Sequence, residues 1–71
     1  MGINERIKEL RISRKLTQKQ VAEGIGVKSV SVQRFEYGTV RPGLDTLIAL
    51  ADYFDVSLDY LVGRSDVAER R

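Results

Sequence analysis

"GVKSVSVQRFEYG", residues 26–38, decides the fold, and it reads two ways. Val30-Ser31-Val32-Gln33 alternates apolar and polar residues between flanking glycines, the pattern of a short strand. A strand here would be nearly alone in the chain, and a lone strand has nothing to pair with. As a helix, the same stretch puts Val27, Ser31, Val32 and Phe35 on one side, toward a core. Ser29, Val30, Gln33, Arg34 and Tyr37 then fall on the other side. Two residues advance about 200° around a helix of about 3.6 residues per turn, so Val30 and Val32 point nearly opposite ways. β-branched residues cost only tenths of a kcal/mol in a helix, which packing overrides. The stretch is read as a helix over 28–36 with one valine facing out.

The residues before it support that reading. Ile3, Ile7, Leu10 and Arg14 recur at helical spacing with charged residues between them, predicting an amphipathic helix from residue 4 to about 14. Thr17 and Gln20 form T-x-x-Q, in which the Thr17 hydroxyl accepts from the residue 20 N–H and Gln20 reaches back. Leu16 and Val21 are spaced as a hydrophobic staple around that cap. The helix so begun is short: Gly24 weakens it, and Gly26, free to take positive φ, is a natural stop. Two short helices, 17–24 and 28–36, joined at Gly26 make a helix-turn-helix.

Downstream, Gly43 follows the single proline, Pro42, and starts a helix through Leu44, Leu47, Ile48, Ala51 and Phe54. Asp45 lies in its first turn, where the helix dipole favours an anion. A last short helix begins at Ser57 as N-cap, with Val56 and Leu61 as a second staple and Gly63 as its stop. "RSDVAERR", residues 64–71, reads as a polar C-terminal tail to a domain of residues 1–63.

Composition narrows the function. The chain has 71 residues, enough for one small core, with no cysteine for disulfides and no histidine for metal or base chemistry. No metal, cofactor or small-molecule ligand is expected. Serines without histidine, and no evident pair of carboxylates, leave no nucleophile–base arrangement, so an enzyme is not expected. The longest apolar runs are far short of the ~20 residues of a spanning helix, so no membrane partner is expected and the cytoplasm is the default. Net charge is +2, unevenly spread. Residues 1–41 hold nine Lys/Arg against four Asp/Glu, a net +5; residues 42–71 hold three against six, a net −3. A basic half joined to an acidic half suits a polyanion on one side and another surface on the other.

"ERIKELR", "LTQKQVAEGIGV", "FEYGTVRP" and "LIALADYFDVSLDYLVG" together resemble, in order and spacing, the phage-repressor-like (Cro/XRE-type) helix-turn-helix family. The resemblance covers residues 3–63. It implies an all-α, compact five-helix bundle of the lambda-repressor-like DNA-binding type, with the helix-turn-helix in helices 2 and 3. It also implies a bacterial or phage-encoded, nucleoid-associated protein that binds double-stranded DNA in the major groove.

By that resemblance Ser29, Val30, Gln33 and Arg34 occupy the base-reading positions at the start of the second motif helix. Their chemistry suits the role. Arg34 pairs bidentately with guanine O6 and N7, Gln33 with adenine N6 and N7, Ser29 serves either base, and Val30 meets a thymine methyl. The resemblance puts Gln18, Lys28, Tyr37, Thr39 and Arg41 near backbone phosphates, contacts that position a protein without reading sequence. Lys28 replaces the usual Ser or Thr cap, a loss of typically ~1 kcal/mol that an adjacent phosphate offsets. A half-buried Tyr37 ring is the alternative to its phosphate contact. Ala22 resembles the small residue at which the two motif helices cross. Arg11 and Glu36 match positions that form a partly buried ion pair in relatives. Leu58 and Tyr60 flank the family's dimer surface, implying a homodimer on a palindromic operator; the alternative is that both complete the monomer core.

The expected function is a sequence-specific transcriptional regulator, a repressor. A DNA-binding antitoxin and a restriction-modification controller protein are alternatives with the same fold. An interaction module that has lost DNA binding is opposed by Gln18, Lys28, Arg34 and Arg41 on the basic half. If the chain is the whole protein, no effector-binding domain follows residue 63, and regulation is expected to come from concentration, dimerisation or a partner.

Overall fold

The computed structural model describes residues 2–65, 67 and 68. Five helices follow one another: α1 Ile3–Ser13, α2 Gln18–Ile25, α3 Ser29–Tyr37, α4 Leu44–Phe54 and α5 Leu58–Leu61. No strand occurs among the described residues, and 29–37 is helical. The predicted boundaries of the first three helices are each displaced by one residue, the ordinary scatter of helix ends.

Each helix buries one stripe. Ile7 and Leu10 of α1, Val21 and Ala22 of α2, Val32 and Phe35 of α3, and Leu50, Ala51 and Phe54 of α4 meet in one core, closed by Val56 and Leu61. Full burial of Ile7, Leu50, Phe54 and Leu61 removes aliphatic and aromatic surface worth about 1.5–3 kcal/mol each. α2 packs on α3 and α4, and α1 on α3 and α5. The opening stretch divides as its helical reading requires. Val32 and Phe35 are buried, Val27 and Ser31 half-buried, and Ser29, Val30, Gln33, Arg34 and Tyr37 exposed.

The junctions are held by specific bonds. Thr17 Oγ1 accepts from the Gln20 N–H at 3.0 Å, and Gln20 Oε1 accepts from the Thr17 N–H at 2.8 Å, completing the capping box. Gly26 ends α2 in the left-handed region, φ 76°, where a side chain would be strained. The Val27 N–H then donates to the Ala22 carbonyl at 3.0 Å, which turns the chain sharply into α3. Ser57 Oγ accepts from the Tyr60 N–H at 3.0 Å at the start of α5, as its cap spacing predicts.

Three features are not visible in the sequence pattern. Gly24 does more than weaken α2: a Cβ there would lie 2.1 Å from Cε1 of Tyr53, so its absence lets α4 approach. Arg14, which continues the α1 apolar stripe, donates to the Phe54 carbonyl and lies over the Phe54 ring at 5.3 Å. A cation thereby closes the C-terminus of α4, where the dipole favours it. In the segment read as a polar tail, Ala68 packs against the core, and its carbonyl accepts from the Ser57 N–H at 2.9 Å.

Candidate nucleic-acid interface

α3 presents a face with no structural duty. Ser29, Val30, Gln33 and Arg34 are all exposed, and none of their side chains forms a hydrogen bond or ion pair among the described residues. Val30 is 42 % exposed, an apolar side chain amid polar ones. Lys28 stands at the N-cap with no side-chain capping bond, so α3 starts without the usual acceptor and with a cation beside its free N–H groups. These groups run along one exposed face of the helix, from the N-cap to the last turn.

The C-terminal end of α3 is closed by local bonds. Gly38 takes φ 80°, and Thr39 turns back on Arg34, its N–H and hydroxyl both donating to the Arg34 carbonyl at 3.2 and 3.3 Å. The Thr39 hydroxyl is therefore a capping group as well as an exposed one. Arg41 is exposed two residues on. Tyr37 is 75 % exposed, which settles its ring as a surface group and removes the half-buried alternative.

Behind this face lies a three-helix tie. Arg11 of α1 donates from Nε to Glu36 Oε2 at 2.7 Å and from Nη2 to Glu36 Oε1 at 3.0 Å, a two-pronged bond to α3. Its third donor, Nη1, reaches the Leu16 carbonyl at 2.9 Å, holding the turn before α2. Only 5 % of the Glu36 side chain and 16 % of the Arg11 side chain are exposed. The hydrogen bond to Glu36 holds the Arg11 guanidinium above its ordinary pKa, against the opposing effect of burial. The expected ion pair is therefore present.

Gln18 joins the same carboxylate, donating from Nε2 to Glu36 Oε1 at 3.2 Å. Sequence reading placed Gln18 near phosphate and Glu36 in an ion pair but did not connect them. A single acidic residue thus fixes α1, α2 and α3 relative to one another and orients the amide at the start of α2. Ala22, 2 % exposed, is buried on α2, which packs on both α3 and α4.

Leu58 and Tyr60 are on α5, away from this face in sequence and in packing. Leu58 is exposed. Tyr60 is half-buried, packs against the core, and carries the Arg6 guanidinium 3.8 Å from its ring centroid. No group of His, Cys, Asp and Glu able to hold a metal occurs among the described residues, and no described helix is long and apolar enough to cross a membrane.

Comparison with known proteins agrees with the geometry. A helix-turn-helix family model matches residues 7–61. The uncharacterized HTH-type transcriptional regulator YobD of Bacillus subtilis is 42 % identical over 62 residues, covering 87 % of this chain and 55 % of its own length. The cryptic phage CTXphi transcriptional repressor RstR of Vibrio cholerae is 38 % identical over 63 residues, covering 89 % of this chain and 57 % of its own. The chain thus spans little more than half the length of these curated relatives. Among solved structures, the P22 c2 repressor in complex with synthetic operator 9T superposes with a TM-score of 0.86 at 28 % identity, over 92 % of this chain and 98 % of that one. With its five-helix order, glycine-stopped α2 and outward-facing α3, the chain belongs to the Cro/C1-type (XRE) helix-turn-helix family, in the lambda-repressor-like fold.

Proposed function

We propose that this chain is the DNA-binding part, or the whole, of a transcriptional repressor that reads a specific operator through the exposed face of α3. One observation carries the reading: Ser29, Val30, Gln33 and Arg34 are left free on a helix that is tied to α1 and α2, along the edge of the same face, by Arg11, Glu36 and Gln18. A rigid support under unspent donors is what base recognition needs, since a misplaced guanidinium loses its bidentate geometry. Arg34 takes guanine, Gln33 adenine, Ser29 either base and Val30 a thymine methyl. Lys28, Gln18, Tyr37, Thr39 and Arg41 contact backbone phosphates and set the register.

The repressor acts as a homodimer. One domain reads only a few base pairs, and its extents of 28 × 22 × 21 Å fit one copy per half-site when half-sites lie about 34 Å apart. Leu58 gives the exposed apolar part of the contact between copies, beside Tyr60, whose ring is shared with the core. The acidic half of the chain faces away from the polyanion.

Selection from a pool of random duplexes, read by sequencing and by fluorescence anisotropy at two salt concentrations, tests this. A palindromic winner with affinity falling steeply in salt is the expected result. Leu58→Asp should then slow dimer formation in sedimentation and weaken operator binding while leaving half-site preference intact. Uniformly weak binding with no enriched sequence sinks the repressor reading.

A further inference from the structure

A cleft of about 510 Å³ opens between the N-terminus of α1, the C-terminus of α3, the α3–α4 connection and the end of α5. Phe35 and Pro42, both buried, line it with the half-buried Ile3, Leu47 and Val62 and the 45 % exposed Val40. Small-molecule sites have ~300–1,000 Å³ and are chiefly apolar, with a few polar groups that fix orientation. These residues meet only once the helices have packed, which is why composition alone suggests no small-molecule ligand.

Two side chains in the lining are polar. Arg41 is exposed and has no ion pair or side-chain hydrogen bond among the described residues. Asn4 is half-buried, and its amide is likewise unbonded among them. Gly38 leaves that amide room, since a Cβ there would come within 3.3 Å of Asn4 Nδ2. No described acidic residue lines the cleft; Glu5, next along α1, accepts from the Gly2 N–H at 3.3 Å. An apolar enclosure with one free cation and one free amide matches an amphiphile carrying a single carboxylate. A polyanion would leave the apolar walls unmatched, and an uncharged hydrocarbon would leave Arg41 unused.

We propose that this cleft binds a medium-chain carboxylate, its head on Arg41 and Asn4 and its chain against Ile3, Phe35, Leu47 and Val62, and that this binding opposes DNA. The opposition rests on the DNA-binding reading above, in which Arg41 contacts a backbone phosphate; the cleft itself does not. One guanidinium cannot serve the carboxylate and the phosphate at once. By linkage each ligand then lowers the affinity for the other by the same factor.

The test uses the whole chain and decanoate, below its micellar concentration, in titration calorimetry and amide NMR shift mapping. Saturable one-to-one binding is expected, with shifts centred on Ile3, Phe35, Val40 and Leu47. Arg41→Gln should weaken it about ten-fold by removing a charge-assisted hydrogen bond. Decanol, which lacks the charge, should bind the parent comparably weakly. Val40→Ala should weaken decanoate binding several-fold by removing apolar wall. Its thermal midpoint and its affinity for a random-sequence duplex should stay near those of the parent, because Val40 is partly exposed. In fluorescence anisotropy, saturating decanoate should lower the parent's duplex affinity several-fold, and the same concentration should affect Val40→Ala less. Absence of saturable binding, or shifts scattered over the surface, overturns the site. Equal binding of decanol and decanoate overturns the pairing of a carboxylate with Arg41. Decanoate binding that leaves duplex affinity unchanged overturns the opposition to DNA. Failure of the parent to bind any duplex without decanoate overturns the repressor reading, while calorimetry still decides the site.

Discussion

α3 and α4 bury much the same material and expose opposite chemistry. α3 turns Val32 and Phe35 inward and α4 turns Leu50, Ala51 and Phe54 inward, into one continuous core. Outward, α3 offers Ser29, Gln33, Arg34 and Tyr37 around a lone Val30, whereas α4 offers Leu44 and Ile48 beside Asp45 and Asp52. The supports differ too. Beneath α3 lies a charged tie to two other helices; α4 is held by apolar packing, by the Gly24–Tyr53 approach and by Arg14 at its C-terminus. A helix that must hold donors in register for a rigid polyanion gains from directional bonds behind it. A helix that only completes a core does not need them.

Removing the tie should have the largest effect. Glu36→Ala strands the Arg11 guanidinium in a largely buried position and frees Gln18, so a loss of about 3–5 kcal/mol is expected in urea unfolding. The paired substitution Arg11→Met with Glu36→Leu should recover most of that loss, because a buried ion pair replaced by apolar groups is often neutral. The contrast with α3 then sharpens in binding: the double variant should fold yet bind DNA weakly, its α1–α2–α3 register no longer fixed. Full DNA binding by a folded double variant would break the argument that the tie serves recognition.

On the α4 side, Gly24→Ala tests packing without charge. Alanine favours a helix interior over glycine by about 1 kcal/mol, yet here its Cβ meets the Tyr53 ring, and overpacking of this kind costs about 1–3 kcal/mol. The net effect expected in urea unfolding is destabilisation. In a Tyr53→Ala background the sign should reverse, with alanine at position 24 stabilising by up to ~1 kcal/mol. DNA contacts made by α3 should change little in either background.

Much of this was legible in advance, for local reasons. Caps, staples and glycine stops are short-range chemistry, so Thr17, Gln20, Gly26 and Ser57 announced their roles through spacing alone. The two faces of α3 followed from helical period once a lone strand was excluded. The ion pair came from family resemblance, since Arg11 and Glu36 lie 25 positions apart and nothing local links them, and the proposed reading positions rest on the same resemblance. What stayed hidden was long-range and side-chain specific. Gln18 reaching Glu36, Arg14 reaching Phe54, Tyr53 covering Gly24 and Ala68 returning to Ser57 all depend on how finished helices cross. Periodicity is silent on that.

Base recognition itself comes next in size. Arg34→Ala should lower discrimination at one base pair of the operator by about 1–3 kcal/mol, measured as relative affinity for the parent site and its single-base variants. The guanidinium is exposed and unbonded, so the unfolding free energy should move by no more than ~0.5 kcal/mol. A comparable loss at every base pair would instead mark Arg34 as a phosphate contact.

Lys28→Ser should give the smallest change, and it separates stability from binding in one residue. Lysine at the N-cap of α3 provides no capping acceptor and sets a cation against the positive end of the helix dipole. Serine supplies the acceptor, so the variant should be more stable by ~1 kcal/mol in urea unfolding. A lysine that costs the free protein stability has a physical reason to be there if a phosphate neutralises it in the complex. The more stable variant should therefore bind duplex DNA less tightly, with a salt slope lower by about one and an unchanged sequence preference. If Lys28→Ser gains stability and keeps its salt slope, the cation at position 28 faces solvent in the complex. The phosphate-contacting surface would then begin at Gln18 of α2, beside the charged tie.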